Sequence, residues 1–467
     1  MSELVGTNVE LEVTNVAHGG VAVARLDGRV VFVADSLPGE TVLARISAAD
    51  HASFWRAEAV EVIVPSPHRR AHVWESASIE RDPDRRAGGA EFGHIELSWQ
   101  RELKRQVLVD SLQRFAKLEG PALDVEVEAV EGDDAANGLG WRTRVSLHVD
   151  RDGIVGPYAA RSHRVVSVPD LPLATQPVEY AAPLDERVFG VERIDVISDG
   201  DRGARVVAHR AEPERPAPGR GGRSPRGAGR ESNRGASGSP ADAPARPGAS
   251  RGPVALDSYR PAAPAPGKPI VERVGDREFR LDELGFWQVH HGAARTLSDA
   301  LQQQLIPELF DAAAGNLDLY GGVGLLAGAV ADRFGPEVRI ESVESDWRAT
   351  LNAEFNLRDI RHATAVTARV DRYLTTRLND ATASERGALA RASVILDPPR
   401  AGAGKQVISS LLELGPAQLV YVACDPVAFA RDLAQLRAGG YELQSLRAFD
   451  LFPHTHHVEA LGVLTRG

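Results

Sequence analysis

The chain has 467 residues, 43% of them hydrophobic, with a net charge of −11 and one cysteine, which supports two or three soluble domains. The lone cysteine excludes an internal disulfide and a cysteine-rich metal or iron–sulfur centre, and the negative balance excludes a surface that is basic all round. No stretch approaches the roughly 20 apolar residues of a membrane span, and the opening Met-Ser-Glu-Leu-Val-Gly carries no basic-then-apolar leader, so a cytoplasmic protein without a membrane partner is expected.

From Thr7 to Val64 apolar and polar residues alternate, with Gly19, Gly20, Gly28 and Gly39 as punctuation, which predicts a small β-barrel. Leu103, Val107, Leu108, Leu112 and Phe115 are spaced for an amphipathic helix over about Glu102–Leu118. Residues 140–210 carry short strand-like runs such as Thr143–Val149. Between about 212 and 253 the chain is mostly Arg, Gly, Pro, Ser and Ala, with almost nothing to bury. This stretch is expected to be disordered, as a basic arm on RNA phosphate or as a solvated insertion.

From Phe279 onward strand-like and helix-like segments alternate. Strands are predicted at Asn316–Tyr320, Val338–Val343, Ser393–Leu396 and Gln418–Ala423, spaced for crossover helices, which gives a doubly wound parallel sheet. Ligands of such sheets bind beyond the carboxyl ends of the strands. There, Asp318-Leu319-Tyr320-Gly321-Gly322-Val323-Gly324 reads as a strand-to-helix nucleotide loop. It has neither the Walker nor the dinucleotide spacing, which suits a cofactor without phosphate. Glu344, 24 residues after Tyr320, is placed to accept hydrogen bonds from ribose hydroxyls. Pro398 and Pro399 fix the backbone so that Asp397 projects in one direction. Cys424 ends a strand beside the same loop, where a nucleophile would sit. His454, His456 and His457 have no cysteine support for zinc and read as a polar loop facing RNA, with no metal expected.

Five segments, Phe286-Trp287-Gln288-Val289-His290, Asp318–Gly324, Asp397-Pro398-Pro399-Arg400, Val422-Ala423-Cys424-Asp425-Pro426 and His457-Val458-Glu459, resemble in order and spacing the motifs of the RNA (uracil-5-)-methyltransferases. The amino-terminal barrel resembles the TRAM domain, an OB-like RNA-binding module. The resemblance implies a C-terminal Rossmann-like methyltransferase sheet and S-adenosylmethionine as cofactor. It implies Gln288, Tyr320, Glu344 and Asp397 around that cofactor, Cys424 as nucleophile and Glu459 as general base. It also implies an RNA partner, ribosomal or transfer, and a chain acting as a monomer.

The expected organisation is therefore a barrel over residues 1–65, an α+β central domain over 66–280 that contains the Arg-rich insertion, and the α/β methyltransferase domain over 281–467. Relative to the family pattern, Gly321 replaces Cys, Ala423 replaces Ser, and His290 and Asp425 replace Asn. The cysteines of the iron–sulfur cluster that some members carry are absent, so no such cluster is expected. Asp425 puts a carboxyl beside Cys424, which raises the thiol's pKa unless a cation or hydrogen bonds offset it. Two other readings are a methyltransferase acting on another base and a non-catalytic RNA-binding or assembly protein that keeps the fold. Arg400, where amine methyltransferases place an aromatic, argues against the first; Cys424 and Glu459 argue against the second.

Overall fold

Strands β1 (Asn8–Ala17), β2 (Val21–Leu26), β3 (Arg29–Ala34), β4 (Thr41–Ala48) and β5 (Phe54–Val64) close into a barrel of order β1-β2-β3-β5-β4. The computed structural model describes residues 4–51, 53–210, 260–261 and 269–466. Every second side chain, among them Leu11, Val13, Ala22, Ala24, Val31 and Val33, points into the barrel, as the period-2 pattern demands. The Arg-rich stretch 212–253 lies outside the described residues.

Helix α1 (Leu97–Ser111) runs on into a π-helical turn, Leu112–Ala116, before the chain leaves it at Lys117. It begins at Leu97 rather than Glu102 because Gln100 and Lys104 are as deeply buried as its leucines, a burial that an apolar stripe does not reveal. Beyond it come β6 (Val127–Ala129), β7 (Arg144–Val149), β8 (Val155–Gly156), α2 (Gln176–Ala181), β9 (Val191–Ser198), β10 (Ala204–Arg210) and β11 (Arg260–Pro261). All of these strands except β6 form one sheet, β11-β10-β9-β7-β8. A hairpin of β12 (Ile270–Val274) and β13 (Arg277–Leu281) follows.

The C-terminal part alternates α3 (Ala293–Gln304), β14 (Asn316–Leu319), α4 (Leu325–Phe334), β15 (Arg339–Glu344), α5 (Trp347–Asn356) and β16 (His362–Thr367). It continues with α6 (Val370–Asp380), α7 (Ala383–Ala390), β17 (Ser393–Leu396), α8 (Gly404–Leu414), β18 (Gln418–Ala423), α9 (Pro426–Ala438), β19 (Tyr441–Asp450) and β20 (Glu459–Arg466). The sheet order is β16-β15-β14-β17-β18-β20-β19-β6. Strands β14 to β18 are mutually parallel and β20 runs antiparallel to both β18 and β19. Strand β6, from the central segment, adds itself beside β19, so the sheet crosses the expected domain boundary.

Strands β17 and β18 are buried throughout, which is why they read as apolar runs beyond their first residues, Ser393 and Gln418. Strand β16 was not among the predicted strands: it is the sheet edge, and its sequence His-Ala-Thr-Ala-Val-Thr holds nothing fully buried. Strand β19 was missed as well, because a register shift between Leu443 and Ser445 breaks its alternation.

Candidate active site

Strand β14 is flanked by β15 on one side and β17 on the other, so the connections diverge at its carboxyl end and open a crevice there. The turn above it takes left-handed backbone at Tyr320 (φ 64°), Gly322 (φ 54°) and Gly324 (φ 89°), the last capping α4. A Cβ at Gly321 would lie 2.1 Å from Ser342 Oγ and 2.6 Å from Asp318 Oδ2, which accounts for glycine at this position. Asp318 is fully buried: its Oδ2 accepts from Ser342 Oγ and from the Ala327 N–H, both at 3.3 Å, while Oδ1 has no partner. Burial pushes its carboxyl up to about 7.

Glu344 ends β15. Its Oε1 accepts from the Asp346 N–H at 2.8 Å and from Ser345 Oγ at 2.9 Å, and its Oε2 accepts from the Gly322 N–H at 3.3 Å. The carboxylate is thereby tied to the glycine turn. Tyr320 is half-buried, its phenol pushed up to about 12 by burial first and then by Asp371 and Asp432. Asp397 follows β17, with its N–H donating to Leu319 O at 3.3 Å. Tyr320, Glu344 and Asp397 thus gather at the ends of β14, β15 and β17. Gln288 is half-buried in the loop after β13, and among the described residues no hydrogen bond joins its side chain to the other three.

Ala423 of β18 pairs with Ala460 of β20, so the next residues out, Cys424 and Glu459, are neighbours across the two strands. Glu459 is buried, and that burial, followed by the charge of Asp397, pushes its carboxyl well above the ordinary range. Asp397 is pushed up to about 7 by burial and then by Asp318. The Cys424 thiol is pushed up to about 12, by burial, then Glu459, then Asp397, with Arg400 opposing. Cys424 opens onto a cavity of about 130 Å³, lined also by His18, Phe92, Lys104, Arg400 and His457. Arg400 Nη2 lies 3.4 Å from His457 Nε2.

Asp425 does not stand over the thiol as an uncompensated charge. Its Oδ1 caps α9, accepting from the Val427 N–H at 3.0 Å and the Ala428 N–H at 2.8 Å, and its Oδ2 meets His18 Nε2 at 2.8 Å. The histidine loop is also less open than expected. His454 is buried, with Nδ1 3.0 Å from Gln100 Nε2 and Nε2 2.8 Å from Asn137 O, so it holds α1 against the loop and does not face RNA. His456 pairs with Glu91, and His457 lines the cavity. His290 accepts from the Gly292 N–H through Nδ1 at 3.0 Å and places Nε2 3.1 Å from both oxygens of Asp133. With His291 these two residues form the grouping of possible ligands found among the described residues, yet both ring nitrogens of His290 are already engaged.

A second, larger cleft of about 910 Å³ lies between the barrel and the β7–β9 sheet and shares His18, Gly19, Gly20 and His456 with the cavity of Cys424. Its wall carries Arg56, Arg142, Arg144 and the stacked rings of His148 and Tyr158, 3.5 Å between centroids. Arg142 lies over the Trp141 ring, 4.6 Å from its centroid, and donates to Gly89 O at 3.0 Å.

The family description tRNA (uracil-5-)-methyltransferase matches residues 310–466, and TRAM domain matches residues 3–60. An uncharacterized RNA methyltransferase of Streptomyces avermitilis is 36% identical over 476 residues, covering 98% of both chains. The chain belongs to the RNA (uracil-5-)-methyltransferase family. A second relative, from Streptomyces coelicolor, is an uncharacterized RNA methyltransferase 37% identical over 489 residues, spanning 99% of this chain and 93% of its own. The tRNA (uracil-54, C5)-methyltransferase of Pyrococcus abyssi, solved with S-adenosyl-L-homocysteine, shares the fold over 98% of this chain and 100% of its own, with a TM-score of 0.63 at 21% identity. Membership makes the protein an S-adenosylmethionine-dependent RNA methyltransferase that carries a TRAM domain. The residues present fit that cofactor. Glu344 offers a carboxylate at the strand end, Asp318 keeps a buried oxygen without a partner, and Asp397 is crowded by Asp318 as Glu459 is by Asp397, a repulsion that a sulfonium's positive charge would relieve.

Sequence reasoning gave no site role to Asp318, Arg400, His18 or Lys104. A carboxyl between Leu317 and Leu319 in an apolar strand was the available signal for Asp318, and Arg400 stood inside a quoted motif. His18 and Lys104 reach the cavity only through the packing of the barrel and α1 onto the sheet, which no local pattern announces.

Proposed function

We propose that the enzyme methylates carbon 5 of a uridine in RNA, with Cys424 as covalent nucleophile and Glu459 as general base. The observation that carries this reading is the register of β18 and β20, which makes Cys424, in the wall of the small cavity, the cross-strand neighbour of the buried Glu459.

Gln288, Tyr320, Glu344 and Asp397 would hold S-adenosylmethionine, which supplies an electrophilic methyl group. Cys424 acts as the thiolate. Its sulfur bonds to C6 of the ring, the C5–C6 double bond opens, and the charge moves onto the C4 oxygen as an enolate. C5 is then nucleophilic and would take the methyl as its bond to the sulfonium sulfur breaks, the electron pair staying on sulfur and S-adenosylhomocysteine leaving. Glu459 removes the C5 proton, the C5–C6 double bond re-forms, and the S–C6 bond breaks to return the thiolate. A carboxyl with a raised pKa is the stronger base once ionised. Arg400 is the cation on the thiol's side of the balance.

In this reading residues 1–65 bind RNA, 66–280 link barrel and sheet, and 281–467 carry the chemistry, in a cytoplasmic monomer. The strand lies in the large cleft, where arginines meet phosphate and rings stack on bases. The test is chromatography of ribosomal and transfer RNA from cells with and without the gene. Loss of 5-methyluridine from one RNA class supports the reading and names the substrate. Unchanged 5-methyluridine in both overturns it.

A further inference from the structure

His18, Gly19 and Gly20 form the turn between β1 and β2, and this barrel tip reaches the loop that carries Cys424. The approach is close. A Cβ at Gly20, which has φ 72°, would lie 2.4 Å from His456 Cβ. All three tip residues line both the cleft and the cavity, so the tip is the partition between them.

At this partition the His18 Nε2 to Asp425 Oδ2 contact of 2.8 Å joins the barrel to the residue that directly follows the nucleophile. Among the described residues Asp425 has three partners: His18 and the two first-turn N–H groups of α9. We propose that His18 is a positioning residue for Cys424, acting through Asp425: the imidazolium neutralises the carboxylate beside the thiol and fixes the loop, so that seating of the barrel sets the reactivity of the nucleophile. The proposal rests on the reading of Cys424 as nucleophile and adds how a residue outside the methyltransferase sheet controls it.

The electrostatics run the same way. The hydrogen bond to Asp425 raises the His18 pKa above its ordinary value, against burial and the charge of Arg431 on α9. Asp425 is raised by burial, but His18 and the α9 N–H groups more than offset this and hold it below the usual carboxylate range. Around the thiol stand Glu459, Asp397 and Arg400, and the cavity also holds Lys104, His456 and His457. Removing the imidazolium leaves the Asp425 carboxylate, next in sequence to a thiol already surrounded by acids, with only its two α9 N–H partners.

Cys424 is the sole cysteine of the chain, so alkylation by iodoacetamide reads its thiolate without competing thiols and without turnover. Rates are measured against pH for the full-length protein and for His18→Gln, Asp425→Asn and the double variant, after thermal melts have confirmed folding. Asparagine also caps a helix, so Asp425→Asn keeps α9 intact. His18→Gln is expected to slow alkylation roughly three- to tenfold at about pH 6.5, with the gap narrowing as pH rises and the imidazolium is lost. When Asp425→Asn is already present, the same substitution is expected to have no effect. Equal effects of His18→Gln with and without Asp425→Asn, or no effect with Asp425 present, would overturn the proposal. Failure of the uridine reading would show separately, as unchanged 5-methyluridine, while the alkylation result stands.

Discussion

Cys424 and Glu459 are neighbours because Ala423 of β18 and Ala460 of β20 are paired in register, a contact between residues that lie far apart along the chain. The parallel strands bring Tyr320, Glu344 and Asp397 to one edge, and the antiparallel return of β20 places Glu459 there. One slip of register would turn Glu459 to the other face of the sheet.

Glu344 is held by backbone N–H groups of Asp346 and Gly322 at the end of β15, and in the proposed site it accepts from a ribose. Replacing it by alanine removes a charge-assisted acceptor worth about 1.5–3 kcal/mol, which corresponds to roughly ten- to a hundredfold weaker binding of S-adenosylmethionine. Calorimetry of Glu344→Ala with the cofactor measures this. An unchanged dissociation constant would remove Glu344 from the site.

Asp318 is pushed from 3.8 up to about 7 by its burial. Between about pH 4 and 7 the folded protein therefore keeps a proton that the unfolded chain has lost, and stability falls as pH rises through that window. Asp397 and Glu459 act with the same sign. In Asp318→Asn the contribution of residue 318 disappears, so melting temperatures recorded without cofactor from pH 5 to 8 should decline less steeply than those of the native chain. Parallel curves would show that Asp318 is not the buried acid described.

Arg142 faces the large cleft with its Nε unpartnered and its guanidinium spread over Trp141. If the RNA strand lies there, Arg142→Gln should weaken binding of a single-stranded RNA and lower the slope of log affinity against log salt by about 0.7–1, the value for one phosphate contact. Binding titrations at several salt concentrations decide it. Coincident salt slopes would place the RNA elsewhere.

What the sequence made legible followed its periodicities. The barrel showed in the alternation around Val21–Val33, and the sheet showed in the runs Ser393–Leu396 and Gln418–Ala423, because strands buried on both faces are apolar at nearly every position, their polar Ser393 and Gln418 standing only at the first positions. Edge strand β16 and bulged β19 lacked that pattern and went unseen. The loops after β14, β15, β17 and β18 announced themselves through Gly, Glu, Pro and Cys at strand ends. The effect of Asp425 could not be read locally, since its compensation comes from His18, a residue 407 positions away that only the docking of the barrel delivers. The same holds for Lys104, whose ammonium is buried against Asp450 at the far end of the chain.

The central claim is covalent catalysis by Cys424 with Glu459 as base, and denaturing gel electrophoresis with labelled uridine-containing RNA and S-adenosylmethionine tests it most directly. Cys424→Ala should bind RNA and cofactor but form neither adduct nor product. Glu459→Gln should add to C6 and methylate C5 and then stall, since nothing takes the C5 proton. It is expected to give a denaturant-resistant protein–RNA band that vanishes when Cys424 is also replaced. Turnover by Cys424→Ala, or release of product by Glu459→Gln at the native rate, would contradict the account.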